Sequence, residues 1–168
     1  MKQEHLFKPI KSWLENKGFR VLVTHSKKQF GMFIKDLIST RSSVEPDLAG
    51  IPSSEKRCGR VLVVEVETDP EKMFEIIGKS MLWKTAASYI YIAFPKEKCP
   101  KSKLIEKLGI GLLSVSGDIV EEVIPLEDEN TNRLKFSVTE LHLLDHERER
   151  ELYKQLERML ISDHEKRM

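Results

Sequence analysis

The sequence predicts an α/β domain, a mixed β-sheet flanked by helices, with a long helix at its C-terminal end. Three observations predict it. Two runs, 60–68 (RVLVVEVET) and 88–94 (SYIYIAF), are nearly continuous in apolar and β-branched residues, the pattern of strands covered by helices on both faces. A helical stretch separates them, and strand–helix–strand alternation argues a mixed sheet with helices on its faces. From Val138 onward there is neither Gly nor Pro, and Val138, Leu141, Leu144, Leu152, Leu156 and Leu160 form a stripe broken by Arg148.

The elements follow in order. Leu6, Ile10, Trp13 and Leu14 recur at helical spacing, so residues 3–17 form a helix that Gly18 stops. Residues 19–25 (FRVLVTH) are a strand, which His25 closes as a half-buried polar cap. Phe30, Phe33, Ile34, Leu37 and Ile38 predict a short amphipathic helix over 29–39. A short strand bounded by prolines follows within 42–52, then a polar turn from Ser53 to Gly59. After the 60–68 strand, Asp69 is suited to cap a helix that Pro70 opens, with Glu71 in its first turn, and this helix should reach Ala87. Residues 101–108 form a short helix stopped by Gly109, and strands 110–115 and 119–124 are joined by a Ser-Gly-Asp turn. As a helix, residues 138–168 would span ~46 Å at ~1.5 Å per residue. It either lies across the domain or projects to pair with a second copy, so the chain divides into a domain at 1–137 and a docking or dimerisation helix at 138–168.

Composition narrows the function. A chain of 168 residues with 40% hydrophobic and 33% charged content holds one ordinary core, and no apolar run approaches the ~20 residues of a membrane span. The opening residues, Met1 to His5, place a carboxylate and an imidazole where a signal peptide would be apolar, so a cytoplasmic protein is expected. Cys58 and Cys99 lack Cys-x-x-Cys partners and read as free thiols. The net charge of +1 is unevenly spread: residues 1–41 carry +6, 42–70 carry −3, 71–111 carry +4, 112–140 carry −5 and 141–168 carry −1. Basic segments gathered around the acidic one would make a phosphate-attracting surface around a carboxylate cluster; Lys-rich helices are also simply well solvated.

The acidic segment holds the candidate chemistry. Side chains alternate along a strand, so Val61, Val63, Glu65 and Glu67 share one face, apolar at its start and acidic at its end. That describes a buried face opening into a cleft; taken by itself, Glu-x-Glu is equally explained by an exposed strand end. Neighbouring carboxylates there titrate upward unless a cation neutralises them. Asp47, after Pro46, heads the preceding strand one turn away in the chain, and a hairpin would bring it beside Glu65. Asp on one strand and Glu-x-Glu on the next can converge on one Mg²⁺.

Pro46-Asp47 and Glu65-Val66-Glu67, 18 residues apart from Asp47 to Glu65, resemble the PD-(D/E)xK nuclease superfamily, whose restriction endonuclease-like sheet carries Pro-Asp on one strand and (Asp/Glu)-x-Lys on the next. Lys79 to Trp83 (KSMLW) stand where the RecB-like branch often has Gln-x-x-x-Tyr, and Glu4 lies on an opening helix where the family often has a Glu. The resemblance covers about residues 3–124. It implies a Mg²⁺- or Mn²⁺-dependent hydrolase acting on nucleic acid, DNA ahead of RNA and as an endonuclease ahead of an exonuclease. Asp47, Glu65 and the backbone carbonyl of Val66 would hold the metal, Glu67 and Lys79 would position water and phosphate, and Glu4 would give support from outside the ligand set. The family lysine is Glu67 here. Glu-x-Glu occurs in some restriction endonucleases of the superfamily; alternatively Lys79 supplies the ammonium, or pairs with Glu67 in a dead site. The rivals are a catalytically degenerate relative that binds nucleic acid or assembles through residues 138–168, as a homodimer for example, and a purely structural oligomer.

Other motifs carry less. Gly78-Lys79-Ser80 has Met73 where a nucleotide-binding loop needs its first Gly. His142 and His146 are four apart without an acidic or Cys partner at ligand spacing. Ser and Cys show no recognisable pairing with His.

Overall fold

The computed structural model describes residues 2–25, 45–101, 103–126 and 144–167. The helix expected over 29–39 and residues 138–143, with which the long helix is expected to begin and which include His142, lie outside them. Helix α1 (Glu4–Asn16) leads into strand β1 (Phe19–Val23). Between them Gly18 adopts φ 98°, a backbone conformation that favours glycine and that ends the helix. Strands β2 (Leu48–Pro52) and β3 (Leu62–Val66) follow, then α2 (Met73–Trp83), β4 (Tyr89–Pro95), α3 (Lys103–Lys107), β5 (Gly111–Ser116), β6 (Ile119–Ile124) and α4 (His146–Arg167). The fold is α/β, as the alternation predicts.

The six strands form one sheet in the order β1-β2-β3-β4-β5-β6. The β1–β2, β2–β3 and β5–β6 pairs are antiparallel, whereas β3–β4 and β4–β5, the pairs joined through α2 and α3, are parallel. Alternation along the strands divides the core into two layers. Ala49, Ile51, Val61, Val63, Ile90, Ile92 and Leu112 face Ile76, Ile77 and Trp83 of α2, Ile105 of α3, and Leu152 and Leu156 of α4. On the other side Val21, Leu48, Leu62, Val64 and Leu113 pack on Leu6, Phe7, Ile10 and Leu14 of α1. All five residues of β3 are buried, because both faces of a central strand are covered.

Three boundaries differ from the sequence reading, two at α2 and one at the C-terminal helix, which is expected from Val138 but begins at His146, where Asp145 Oδ1 accepts from the Glu147 and Arg148 N–H groups at 3.0 and 3.3 Å. Asp69 caps as expected, accepting a hydrogen bond from the Glu71 N–H at 3.0 Å, but Pro70–Lys72 form a 3₁₀ turn before α2 begins at Met73. Helix α2 also stops at Trp83, short of Ala87. There the Thr85 hydroxyl folds back onto the Leu82 carbonyl at 2.7 Å, and the Thr85 carbonyl accepts from the Asp145 N–H at 2.9 Å instead of continuing the helix. Helix α4 lies against the sheet rather than away from it, with Leu152 and Leu156 fully buried. Its buried Glu149 accepts from the Val61 N–H at 3.1 Å and from the Ser88 hydroxyl at 2.5 Å, closing the starts of β3 and β4.

Candidate active site

Asp47 and Glu65 meet across the β2–β3 hairpin. Leu48 opposes Val64 in the antiparallel register, which sets Asp47 directly against Glu65 at the open end of the pair. Both carboxyls are buried, at 6% and 4% exposure. Together with Gln3, His25, Glu45, Val66, Glu67, Glu75, Ile76 and Lys79 they line a cleft of about 270 Å³ between the α1 side and the α2 side of the sheet.

Asp47 is held firmly. Its Oδ2 accepts from the Val66 backbone N–H at 2.7 Å, and its Oδ1 lies 2.7 Å from His25 Nδ1. The His25 backbone is fixed too: the Thr24 and His25 N–H groups both donate to the Asp47 carbonyl, at 3.0 and 3.1 Å, and the Thr24 hydroxyl donates to the Pro46 carbonyl at 2.7 Å. Burial raises the Asp47 carboxyl above the ordinary carboxylate range, against the Val66 N–H, His25 and Lys79, which favour its charge. Glu65 is raised further, first by burial and then by the Asp47 charge beside it, with Lys79 opposing. Its Oε1 is buried and meets no hydrogen-bond donor.

Of the other residues expected at the site, Val66, Glu67 and Lys79 line the cleft and Glu4 does not. Glu67 Oε1 accepts from the Asp69 N–H at 3.1 Å and so steadies the turn into α2. Lys79 Nζ lies 3.8 Å from Glu75 Oε1, one turn back on α2, and not against Glu67. Glu4 stands behind the cleft, its Oε1 4.0 Å from His25 Nε2.

His25 is the member that the sequence reading missed. It is no mere strand cap: β1 delivers it to Asp47 from 22 residues away. Phe7 tilts against its ring at 5.3 Å, and Gln3 Nε2 is 3.4 Å from Nδ1. The signal in the sequence was its place at the end of a strand that pairs with the strand headed by Asp47.

The donor set bears on a metal. Among the described residues no group of three or more His, Cys, Asp or Glu side chains stands at ligating spacing. Mg²⁺ does not require one: it commonly takes one or two carboxylates and fills the rest of its octahedron with water and phosphate oxygens. Two adjoining buried carboxyls, one with an unpartnered oxygen, beside an open cleft fit such an ion.

The sequence matches no family model and no curated protein. Among solved structures, the fold is similar to that of the SPO1766 protein of unknown function from Silicibacter pomeroyi, with a TM-score of 0.52 and 16% identity over 85% of this chain and 84% of that one. The likeness concerns the fold alone. Among the described residues no helix is long and apolar enough to cross a membrane.

Proposed function

We propose that the protein is a Mg²⁺-dependent nuclease of the PD-(D/E)xK type that hydrolyses phosphodiester bonds of DNA, as an endonuclease. The observation that carries this is the Asp47–Glu65 pair, two buried carboxyls opposed across a hairpin at a cleft, with Glu65 Oε1 unpartnered. Burying two adjacent acids without a use for their charge is costly, and a divalent cation offsets both the desolvation and the repulsion.

Asp47 and Glu65, with the Val66 carbonyl, would hold the ion, Mg²⁺ or Mn²⁺. When bound, such a metal lowers the pKa of its water and neutralises charge developing on the phosphoryl group. The protein's own contribution is orientation. His25 and the Val66 N–H hold both Asp47 oxygens, so the carboxylate cannot rotate away from the cleft. Lys79, half exposed and facing the cleft, is placed to hold a non-bridging phosphate oxygen, the role open since Glu67 replaced the family lysine. Basic residues of 1–41 and 71–111 would attract the DNA backbone without reading its sequence. A cytoplasmic location and a homodimer through the C-terminal helix belong to the same proposal; the half-exposed Ile161 is available for such a contact.

A second reading has its own support. Glu67 is engaged by the Asp69 N–H and Lys79 stands near Glu75, as suits a degenerate site kept as a nucleic-acid-binding or assembly module. Nicking of supercoiled plasmid in Mg²⁺, lost on chelation and in Asp47→Ala, separates the two: the degenerate module predicts salt-sensitive DNA binding without nicking.

A further inference from the structure

We infer that Trp83 is a positioning residue for Glu65, its indole N–H being the donor that the Glu65 carboxylate takes up when a divalent cation seats between Asp47 and Glu65. This rests on the metal-dependent reading above. Trp83 is fully buried in the layer between β3 and α2, yet its Nε1 has no hydrogen-bond acceptor. Glu65 Oε1, buried from the facing strand, has no donor. A buried unpaired N–H and a buried unpaired carboxyl oxygen are each unfavourable, and both are relieved if they meet.

Placement makes that meeting possible. Ile76, Lys79 and Trp83 recur at i, i+3 and i+7, one side of α2, and the first two line the cleft with Glu65. Glu65 projects from β3 on the same face as Val61 and Val63, which pack in the layer that holds Trp83. The indole N–H already favours the charged form of Glu65, although the pair lacks the geometry of a formed hydrogen bond. Phenylalanine would fill an apolar layer without burying an N–H, so the nitrogen itself needs a use. A charge-assisted bond to a ligating carboxylate is such a use, since these are roughly twice as strong as neutral ones.

The test uses the full chain labelled with ¹⁵N-tryptophan, in which only Trp13 and Trp83 give indole N–H resonances; Trp13→Phe assigns them. On saturation with Mg²⁺ the Trp83 resonance should move downfield, and Trp83→Phe should bind Mg²⁺ about 10–100-fold more weakly by calorimetry. If wild type binds Mg²⁺ but the Trp83 resonance stays in place, the positioning role is overturned while the metal site stands. If wild type binds no Mg²⁺, the metal-dependent reading falls and takes this one with it. The resonance in wild type decides the matter even if Trp83→Phe does not fold.

Discussion

His25 Nδ1 lies 2.7 Å from Asp47 Oδ1, so an imidazole just past the end of β1 fixes a buried carboxyl just before the start of β2. With the Val66 N–H on the other oxygen, Asp47 is clamped at both ends. Outer partners of this sort orient ligating groups and tune their affinity. His25→Ala should therefore weaken Mg²⁺ binding about 10–100-fold, measured by calorimetry, while His25→Asn, which keeps a donor, should recover part of the loss.

The carboxyl pair sets a pH dependence. Asp47 and Glu65 keep their protons to higher pH in the folded chain than in the unfolded one. Between the ordinary carboxylate range, about pH 4, and their raised folded values, the folded state binds more protons than the unfolded state. Stability without metal therefore falls as pH rises through that window. Glu65→Gln should flatten the fall and melt higher than wild type at neutral pH, by about 2–4 °C for each 1 kcal/mol regained. Thermal melts of both proteins from acid to neutral pH, without divalent cations, check this.

On the proposed function, Lys79 separates binding from turnover. It faces both carboxyls across the cleft, yet an ammonium cannot ligate a metal. Lys79→Ala should leave Mg²⁺ binding in place and lower plasmid cleavage by about 10²–10³-fold, the cost of losing a preorganised donor at a reacting oxyanion. Single-turnover cleavage beside calorimetry gives both quantities.

Glu149 tests how α4 is held. It is buried, accepts from Val61 and Ser88, and its carboxyl is raised by burial, with Ser88, the Val61 N–H and Arg60 drawing it back. Glu149→Ala strands the Val61 N–H and should cost about 1–3 kcal/mol. The loss should appear in thermal melts, with faster amide exchange in α4.

Much of this was legible in the sequence because the deciding interactions are local. Alternation within 61–67 set Glu65 on the face of Val61 and Val63, and Pro46-Asp47 one turn earlier brought the second acid beside it across the hairpin. What stayed hidden depends on distant pairings. His25 reaches Asp47 only once β1 aligns on β2, and Glu149 reaches Val61 across 88 residues. That Leu152 and Leu156 of the C-terminal stripe serve the sheet depends on their reaching the layer beside Val61 and Val63, which periodicity alone leaves open. The use of Glu67 was hidden for a different reason: a strand-end acid can face a cleft and still accept from the Asp69 N–H of the next turn.

On the proposed function, Asp47 and Glu65 are a metal site and not a buried flaw. Calorimetric titration of Mn²⁺ into the wild-type protein and Asp47→Ala, with plasmid cleavage followed in the same samples, tests it most directly. Binding should be saturable and cleavage present in wild type, with both lost in Asp47→Ala and the fold retained. Absence of binding by wild type, or cleavage that persists in Asp47→Ala, would contradict it.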